Sequence, residues 1–257
     1  MHYQEYGDKN ATLMVFLHGG GVSSWMWDRQ IQYFKHYHCV TFDLPEQGKS
    51  NNMKGFSIKN SAERMIELIG EIGSGKEVIV IGFSLGAQVA VQMLSMNSNL
   101  ITYAMINSAL VRPVSIVKKL INPAVKLTFP LTKIKSFSKY QAKSLFVGEE
   151  YFDTYYKESS NMKCDTLIRI LEENMSFTLP EEFYKVKSKI LVTVGEKERS
   201  IMIKSAKDIV SANTNCTGII MPNIGHGISF INPNLFNQII ETWIQNDHLP
   251  KDMIRIN

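Results

Sequence analysis

A serine between two glycines is the first candidate for chemistry in this sequence. Ser84 lies in GFSLG, residues 82–86, directly after the apolar run KEVIVI and directly before AQVAVQMLSM. The run predicts a buried strand and the following residues predict a helix, so the serine is expected on a tight strand-to-helix turn. Such a turn projects the hydroxyl above the sheet, where it can act as a nucleophile. The alternative interpretation is an ordinary turn rich in small residues.

A serine hydroxyl becomes a good nucleophile only when a base removes its proton, and His226 is the candidate base. It lies in NIGHGISF, with a glycine on each side, directly after the last predicted strand. That position places His226 at the sheet edge where Ser84 is expected to emerge. The remaining candidates lie at the N-terminus, beside the start of a strand, or in the C-terminal tail: His2, His36, His38 and His248.

A catalytic histidine needs an acid that orients its ring, and ILVTVGEKERS offers two glutamates. Glu198 lies three residues beyond Gly195, on the loop after a predicted strand, far enough out to turn back toward His226. Glu196, at the strand end itself, is the competing candidate, and an exposed charge is the alternative interpretation for either residue. We predict Glu198 as the orienting acid.

Negative charge on a tetrahedral intermediate is usually held by backbone N–H groups. The segment FLHGGGVSSW, residues 16–25, follows a strong predicted strand and offers backbone without side chains. We predict the amide of Gly20 as one donor, with Gly21 as its alternative. The amide of Leu85, next after the serine, is the predicted second donor. His18 is expected to brace this loop by hydrogen bonds and not to act as the base.

These residues must be positioned by the surrounding elements, and short apolar runs alternate with helical patterns along the chain. The alternation is typical of a parallel sheet covered by helices. Most runs are apolar nearly throughout, as strands buried on both faces are. The predicted fold class is therefore α/β, a mostly parallel twisted sheet with helices on both faces. The predicted strands are residues 13–19, 38–45, 77–83, 101–109, 189–196 and 217–225.

Three helices are predicted between and after these strands. Residues 57–73 space their apolar side chains at helical intervals, with Ser57 or Asn60 as the N-cap. LGAQVAVQMLSM is small and apolar enough to pack tightly on the sheet. NPNLFNQIIETWIQN predicts a closing amphipathic helix with Pro233 near its start.

About eighty residues separate the fourth and fifth predicted strands, where a crossover needs far fewer. Residues 110–188 contain several prolines and helical patterns of their own, which predicts a helical cap inserted into a core domain of residues 1–109 and 189–257. Within the cap, residues 110–148 carry eight basic and no acidic residues. The interleaved lysines and apolar residues indicate either an acyl pocket with a cationic rim that attracts anionic substrates or a lipid surface, or an ordinary solvated helical face.

The bulk properties are those of a globular protein that buries a sizeable core. The 257 residues are 44% hydrophobic and 20% charged, with a formal net charge of +4. The first residues do not resemble a signal peptide, and no run approaches the length of a membrane span. Cys39, Cys164 and Cys216 are far apart and fit neither a disulfide framework nor a metal site. We expect a cytoplasmic protein with no metal, organic cofactor or nucleic-acid partner.

The chain resembles α/β-hydrolases of the small, single-domain serine esterase type. Four motifs match in order over nearly its whole length: HGGGVSSWMWD, DLPEQGKS, GFSLGA and GEKE followed by GHG. The order Ser84, Glu198, His226 is the chain order of that family. Two of these motifs depart from the family pattern. Glu198 stands where aspartate is commoner, and Glu46 and Gln47 stand where the family often has Gly-His, which concerns loop shape and not chemistry.

The resemblance implies a serine hydrolase that cleaves a carboxylic ester or a related acyl bond through an acyl-enzyme. Family members with a serine at this position also cleave C–C bonds, open lactones, perform perhydrolysis or transfer acyl groups, and the three candidate residues do not distinguish these reactions. A different class, a small-molecule receptor or signalling protein with vestigial hydrolysis, is the other alternative. The aspartate-nucleophile members are disfavoured because residue 84 is serine.

Overall fold

The computed structural model describes residues 1–246, 249–250 and 252–256, so the candidate His248 lies outside the described residues. The strands are β1 (Tyr3–Gly7), β2 (Leu13–Leu17), β3 (His38–Phe42), β4 (Val78–Phe83), β5 (Tyr103–Asn107), β6 (Lys189–Gly195), β7 (Cys216–Met221) and β8 (Ile254–Ile256). The α-helices are α1 (Asp28–Tyr33), α2 (Ile58–Ile72), α3 (Leu85–Met96), α4 (Ser115–Thr128), α5 (Lys135–Ser144), α6 (Phe152–Asn161), α7 (Cys164–Ser176), α8 (Ser200–Ala212), α9 (Ile228–Ile231) and α10 (Pro233–Asn246).

The eight described strands form one sheet in the order β1-β3-β2-β4-β5-β6-β7-β8. The six central strands are parallel, and β1 and β8 pair antiparallel at the two edges. The register aligns the carboxyl ends of β4, β5 and β6, since Gly82 pairs with Ile106 and Asn107 pairs with Thr193. The loops after these strands therefore emerge side by side, as open parallel sheets require of their ligand sites.

Two apolar clusters cover the two faces of the sheet. Alternate residues of β2 point to opposite sides, so Val15 belongs to one cluster and Phe16 to the other. Helices α2 and α3 contribute to the cluster that contains Val15, which we call the first cluster, and α10 contributes to the cluster that contains Phe16. Every residue of β2, β3 and β4 is buried, which is why their sequences are apolar nearly throughout. The predicted α/β fold class is confirmed.

The six predicted strands are all present, with ends that differ from prediction by up to four residues. Ser57 caps α2 by accepting a hydrogen bond from the amide of Asn60 at 3.0 Å, so Ser57 and not Asn60 is the N-cap. Pro233 begins α10. Strands β1 and β8 were not predicted from the sequence because these edge strands are short and partly exposed, and they lack the continuous apolar run of a central strand.

Four helices, α4 to α7, lie between β5 and β6 in the segment 110–188, which we call the insertion. The insertion has a small apolar cluster of its own, in which Ile121 and Val125 of helix α4 pack with Ile168 of helix α7. The end of the insertion returns to the sheet, where Phe183 is fully buried in the first cluster. The predicted limits of a separate cap remain a prediction. No helix of the described residues is long and apolar enough to cross a membrane.

Candidate active site

Ser84 lies on a strained turn between β4 and α3. Its backbone φ of 52° is in the left-handed region, which non-glycine residues rarely occupy. The amide of Ser84 donates to the carbonyl of Asn107 on the neighbouring strand at 2.9 Å, and its own carbonyl accepts the first bonds of α3. The turn is therefore held from both sides, and it carries the hydroxyl to the carboxyl edge of the sheet.

The two glycines beside Ser84 are required by packing. A Cβ on Gly82 would lie 2.7 Å from the Cα of Ala87, and one on Gly86 would overlap the carbonyl oxygen of Leu17. Side chains at either position would push α3 away from the sheet. This close approach explains the GFSLG spacing that the sequence analysis singled out.

His226 lies on the loop after β7, beside Ser84. Its Nε2 is 3.1 Å from the hydroxyl oxygen of Ser84, and its Nδ1 is 2.6 Å from Oε2 of Glu198. The ring also packs against Phe83, with ring centroids 5.0 Å apart. Because a carboxylate only accepts hydrogen bonds, Nδ1 carries the proton and Nε2 is left to accept the proton of the serine.

Glu198 is the glutamate that reaches His226, and Glu196 is not. The Glu198 side chain is only 1% exposed, whereas the carboxylate of Glu196 turns away and accepts the amide of Asn223 at 2.9 Å. Burial raises the pKa of Glu198, but hydrogen bonds from His226, Gly195 and Ser108 outweigh it, so the pKa lies below its usual range. The carboxylate therefore stays ionised at neutral pH.

Ser108, which holds Glu198, and Asn107, which holds Ser108, were not predicted from the sequence. The hydroxyl of Ser108 donates to Oε1 of Glu198 at 2.7 Å, and the amide of Asn107 donates to Thr193 at 2.9 Å and to the Ser108 oxygen at 3.3 Å. Ser108 adopts a left-handed φ of 57° directly after β5. The available signal was polar residues ending a buried strand at the same sheet edge.

Gly20 and Leu85 line the same chamber as Ser84. No acceptor among the described residues binds either amide, and Leu85 begins α3, where the N–H groups have no partner within the helix. The amide of Gly21, the alternative donor, makes a long contact of 3.4 Å with Oε1 of Gln47. Two free N–H groups beside the serine are suited to stabilise an oxyanion.

His18 is fully buried and bridges two loops. Its Nδ1 is 2.7 Å from the carbonyl of Gly19, and its Nε2 accepts the amide of Leu44 at 2.9 Å. Burial lowers the pKa of His18, so the ring is neutral with its proton on Nδ1. The ring thus braces the loop of residues 19–21, which we call the glycine loop. Both ring nitrogens already have hydrogen-bond partners.

The other described histidines do not reach Ser84. His38 is buried at the amino end of β3, where its ring nitrogens contact Glu5 at 2.8 Å and Lys76 at 2.9 Å. His36 lies on the turn before that strand, and the backbone of His2 binds Ser50. The described residues contain no group of three or more His, Cys, Asp or Glu side chains placed to hold a metal ion.

Helix α7 is attached to the core by polar side chains. The buried carboxylate of Glu46 accepts hydrogen bonds from Thr166 at 2.9 Å and Arg169 at 3.1 Å. Glu173 accepts the first amide of α2 at 2.8 Å, and Asn174 exchanges hydrogen bonds with Gln88, four residues after Ser84. The unusual Glu46 of the DLPEQGKS motif thus fastens the insertion to the core.

A chamber of about 450 Å³ opens beside Ser84, between the glycine loop and helices α4 to α7. Its volume is in the range of small-molecule sites. None of the eighteen described residues that line it is charged. The apolar ones include Val125, Phe129, Leu167 and Leu171. The site therefore combines an activatable hydroxyl with a mostly apolar space for a bound group.

A sequence profile described as the Alpha/beta hydrolase family matches residues 14–238. Over 254 residues the chain is 21% identical to (E)-2-((N-methylformamido)methylene)succinate hydrolase of Acinetobacter baylyi, covering 95% of this chain and 94% of that protein. A Haemophilus influenzae protein described as a 2-succinyl-6-hydroxy-2,4-cyclohexadiene-1-carboxylate synthase is 27% identical over 77 residues, which are 30% of this chain. The match spans only 31% of the length of that protein.

Solved structures share the fold at low identity. MenH from S. aureus has a TM-score of 0.76 at 17% identity, covering 96% of this chain and 98% of that chain. An esterase from Exiguobacterium antarcticum has a TM-score of 0.79 at 15% identity, covering 95% of both chains. At these identities the likeness shows a common fold.

Proposed function

The chain belongs to the alpha/beta hydrolase family, and we propose that it is a serine hydrolase that cleaves a small-molecule carboxylic ester or a related acyl bond. In this proposal Ser84 is the nucleophile and His226 is the general base. Glu198 orients His226 and stabilises its charged form. The amides of Gly20 and Leu85 hold the oxyanion.

The first half-reaction transfers the acyl group to the enzyme. Ser84 Oγ attacks the ester carbonyl carbon while its proton passes to Nε2 of His226. The carbonyl oxygen becomes an oxyanion between the two amides. The tetrahedral intermediate then collapses, the bond to the alcohol oxygen breaks, and His226 donates its proton to that oxygen.

The second half-reaction releases the acid. A water molecule gives its proton to His226 and attacks the carbonyl carbon of the acyl-enzyme. When the bond to Ser84 breaks, the proton returns from His226 to the serine oxygen, and a carboxylic acid leaves. Glu198 stays ionised throughout, which its lowered pKa supports. These steps use only side chains and backbone amides of the described site.

The single observation that carries this proposal is the continuous chain from Glu198 through His226 to Ser84, with links of 2.6 and 3.1 Å. A fluorophosphonate probe should label Ser84, and a p-nitrophenyl ester should be turned over many times. Ser84→Ala should abolish labelling and turnover without changing the melting temperature. Ser95→Ala is the matched control, since Ser95 lies near the C-terminal end of helix α3. This variant should retain both labelling and turnover.

Two outcomes would count against the proposal. Full activity of Ser84→Ala would exclude this serine as the nucleophile. Labelling of Ser84 with a single turnover and little product release would favour the receptor class over the enzyme. The size of the turnover number separates these classes directly, because both would bind the same ligand.

We also propose weak attraction of the insertion to anionic surfaces. Large apolar side chains on α4 and α5 are exposed, among them Leu127 at 80% and Tyr140 at 71%. Lys126, Lys133 and Lys143 of the same segment are exposed as well. This pattern is typical of a surface that meets anionic lipid. Added salt should then slow turnover of an ester with an anionic leaving alcohol more than of one with a neutral alcohol, and equal effects would indicate a merely solvated face.

A cytoplasmic location completes the proposal. Its support is that the three cysteines are far apart in the sequence and free in the structure, as in proteins of a reducing compartment. Fractionation of cells that produce the native chain, followed by probe labelling of each fraction, tests this. Labelled protein in the soluble cytoplasmic fraction is the expected result, and its confinement to another compartment would contradict the proposal.

A further inference from the structure

The chamber beside Ser84 contains very few polar groups that are free to bind a substrate. Four of its hydroxyls donate to backbone carbonyls three or four residues earlier in the chain: those of Thr128, Thr132, Ser144 and Ser159. Asn174 is occupied by Gln88. These side chains satisfy their own hydrogen bonds, so they present mainly carbon atoms to the chamber.

Tyr155 is the exception among the buried lining residues. It lies on α6 with only 4% of its surface exposed, and no described residue forms a hydrogen bond with its hydroxyl. That oxygen is not among the unpartnered polar atoms sealed from solvent, so it keeps some accessible surface. Burial raises the pKa of Tyr155 to about 12, so the hydroxyl is neutral and able to donate. Gln141 on α5 is a second, half-buried lining residue whose amide has no partner among the described residues.

The position of His226 indicates which half of an ester the chamber receives. The leaving alcohol must take its proton from Nε2 of His226, so that half lies on the imidazole side of Ser84. The chamber is lined by Ser84, Gly20 and Leu85 but by no residue of the loop that carries His226. The acyl group therefore occupies the chamber.

Charged side chains collect in a different place. A neighbouring cleft of about 340 Å³ shares Gly21, Ser159 and Met162 with the chamber. Its charged lining residues are two lysines and two glutamates: Lys49, Lys157, Glu46 and Glu158. The lysines of α4 and α5 that the structure describes are exposed and do not line the chamber. No cation lines the chamber among the residues that the structure describes, so a carboxylate on the acyl group would lose its water there without a charged partner, which is strongly unfavourable.

We propose that the chamber selects an uncharged acyl group, largely apolar, that carries a neutral oxygen recognised by the hydroxyl of Tyr155. This inference rests on the proposed ester hydrolysis and names its acyl specificity. Tyr155 acts as a hydrogen-bond donor to the bound acyl group and takes no part in proton transfer at Ser84. The substrate class is then an ester of a neutral oxo- or alkoxy-substituted acid of medium length.

The test compares p-nitrophenyl esters that share one leaving group and one chain length. The acyl groups are hexanoyl, 4-oxohexanoyl, 5-oxohexanoyl and the carboxylate-bearing hydrogen adipoyl. We expect kcat/KM for hydrogen adipate to be about 100-fold below that for hexanoate, because its charge is buried unpaired. Tyr155→Phe should lower kcat/KM for at least one oxo ester about 10-fold relative to hexanoate, as expected for one lost hydrogen bond.

Tyr184→Phe, which changes an exposed tyrosine of the same insertion, should leave all four values unchanged. Equal turnover of hydrogen adipate and hexanoate, or equal losses for oxo and plain esters in Tyr155→Phe, would overturn the inference. Fluorophosphonate labelling of Ser84 and turnover of p-nitrophenyl acetate are measured in parallel. If these succeed while the acyl preferences are absent, only the specificity fails. If no ester is turned over, the proposed function itself fails.

Discussion

The hydrogen-bonded chain at Ser84 and the chamber beside it meet at one residue but are constructed in opposite ways. In the hydrogen-bonded chain the reacting side chains bind one another. Glu198 accepts hydrogen bonds from His226, Ser108 and Gly195, and the hydroxyl of Ser84 faces Nε2 of His226. In the chamber the hydroxyl of Tyr155 has no protein partner among the described residues. One region is complete without a ligand, and the other is left open for one.

This difference teaches where substitutions should act on chemistry and where on selectivity. The hydrogen bonds from Ser108 through Glu198 and His226 to Ser84 fix one arrangement of the reacting groups, so a change in them should alter the reaction of every substrate. An open chamber with unused hydrogen-bonding groups interacts with each substrate differently, so a change in it should alter the order of preference. Three predictions test this division.

The largest expected effect is that of Glu198→Gln. Loss of the carboxylate removes the group that orients His226 and stabilises its charged form, so kcat should fall by about 10³- to 10⁴-fold. The factor should be the same for acetate and hexanoate esters, because Glu198 does not contact the acyl group in the proposal. Steady-state kinetics with both esters measures it.

Glu196→Gln is the matched control, since this glutamate lies two residues earlier on the same loop and binds the amide of Asn223. It should retain nearly full activity. If the fall in kcat of Glu198→Gln depends strongly on the acyl group, the hydrogen-bonded chain and the chamber do not act independently, which contradicts the proposed division. A large loss in Glu196→Gln would reassign the acid.

A smaller and selective effect is expected for Leu171→Trp. Leu171 lines the chamber on α7, so the larger ring should fill space that a long acyl chain needs. We expect kcat/KM for an octanoate ester to fall about 10-fold, as for other changes of a few methylenes in an apolar pocket, with the acetate value unchanged. Leu127→Trp, at a residue 80% exposed, is the control and should change neither.

Equal losses for acetate and octanoate in Leu171→Trp would show that the chamber wall also sets the geometry of Ser84. The rate of fluorophosphonate labelling separates this outcome from simple obstruction. A small probe should react with Leu171→Trp as fast as with the unaltered chain if only the chamber has become shorter.

The smallest effect concerns the attachment between the regions, where Glu46 binds Thr166 and Arg169 of α7. Glu46→Gln should lower the melting temperature at pH 7 by about 3 °C, since one charge-assisted contact is weakened. Burial raises the pKa of Glu46, but hydrogen bonds from Gly55, Thr166 and Arg169 bring it below its ordinary value of 4.5.

The direction of the pH dependence follows from that lowered pKa. A carboxylate with a depressed folded pKa stabilises the fold fully above its unfolded value and loses this contribution as the pH falls through the folded value. The difference in melting temperature between the two chains should therefore shrink below about pH 4.5. A constant difference down to pH 3 would show that charge is not the cause. Glu67→Gln, at an exposed position on α2, should change the melting temperature little.

Much of this arrangement was predictable because it depends on local patterns. Continuous apolar runs gave the central strands, and GFSLG followed by a small apolar helix gave the turn at Ser84. Loops that follow parallel strands share one edge, so Glu198 and His226 were expected near the serine, where the structure places them. The roles of these residues stay a prediction for kinetics to test.

Other features have no local signature in the sequence. Ser108 meets Glu198 across 90 residues, and Glu46 meets Thr166 across 120, so both contacts depend on how distant segments pack. In the sequence, Tyr155 is one of several aromatic residues of the insertion. Only the packing of helices α4 to α7 shows that its hydroxyl lacks a partner among the described residues. The short edge strands β1 and β8 likewise become strands only by pairing with β3 and β7.

Periodicity and composition report what each segment does with its own neighbours, and this was enough for the fold class and for three residues at one sheet edge. Which polar groups satisfy one another, and which are left free inside a chamber, follows from sub-ångström packing between segments far apart in the chain. Hydrogen bonds form or fail over less than 1 Å, a length that no sequence pattern resolves.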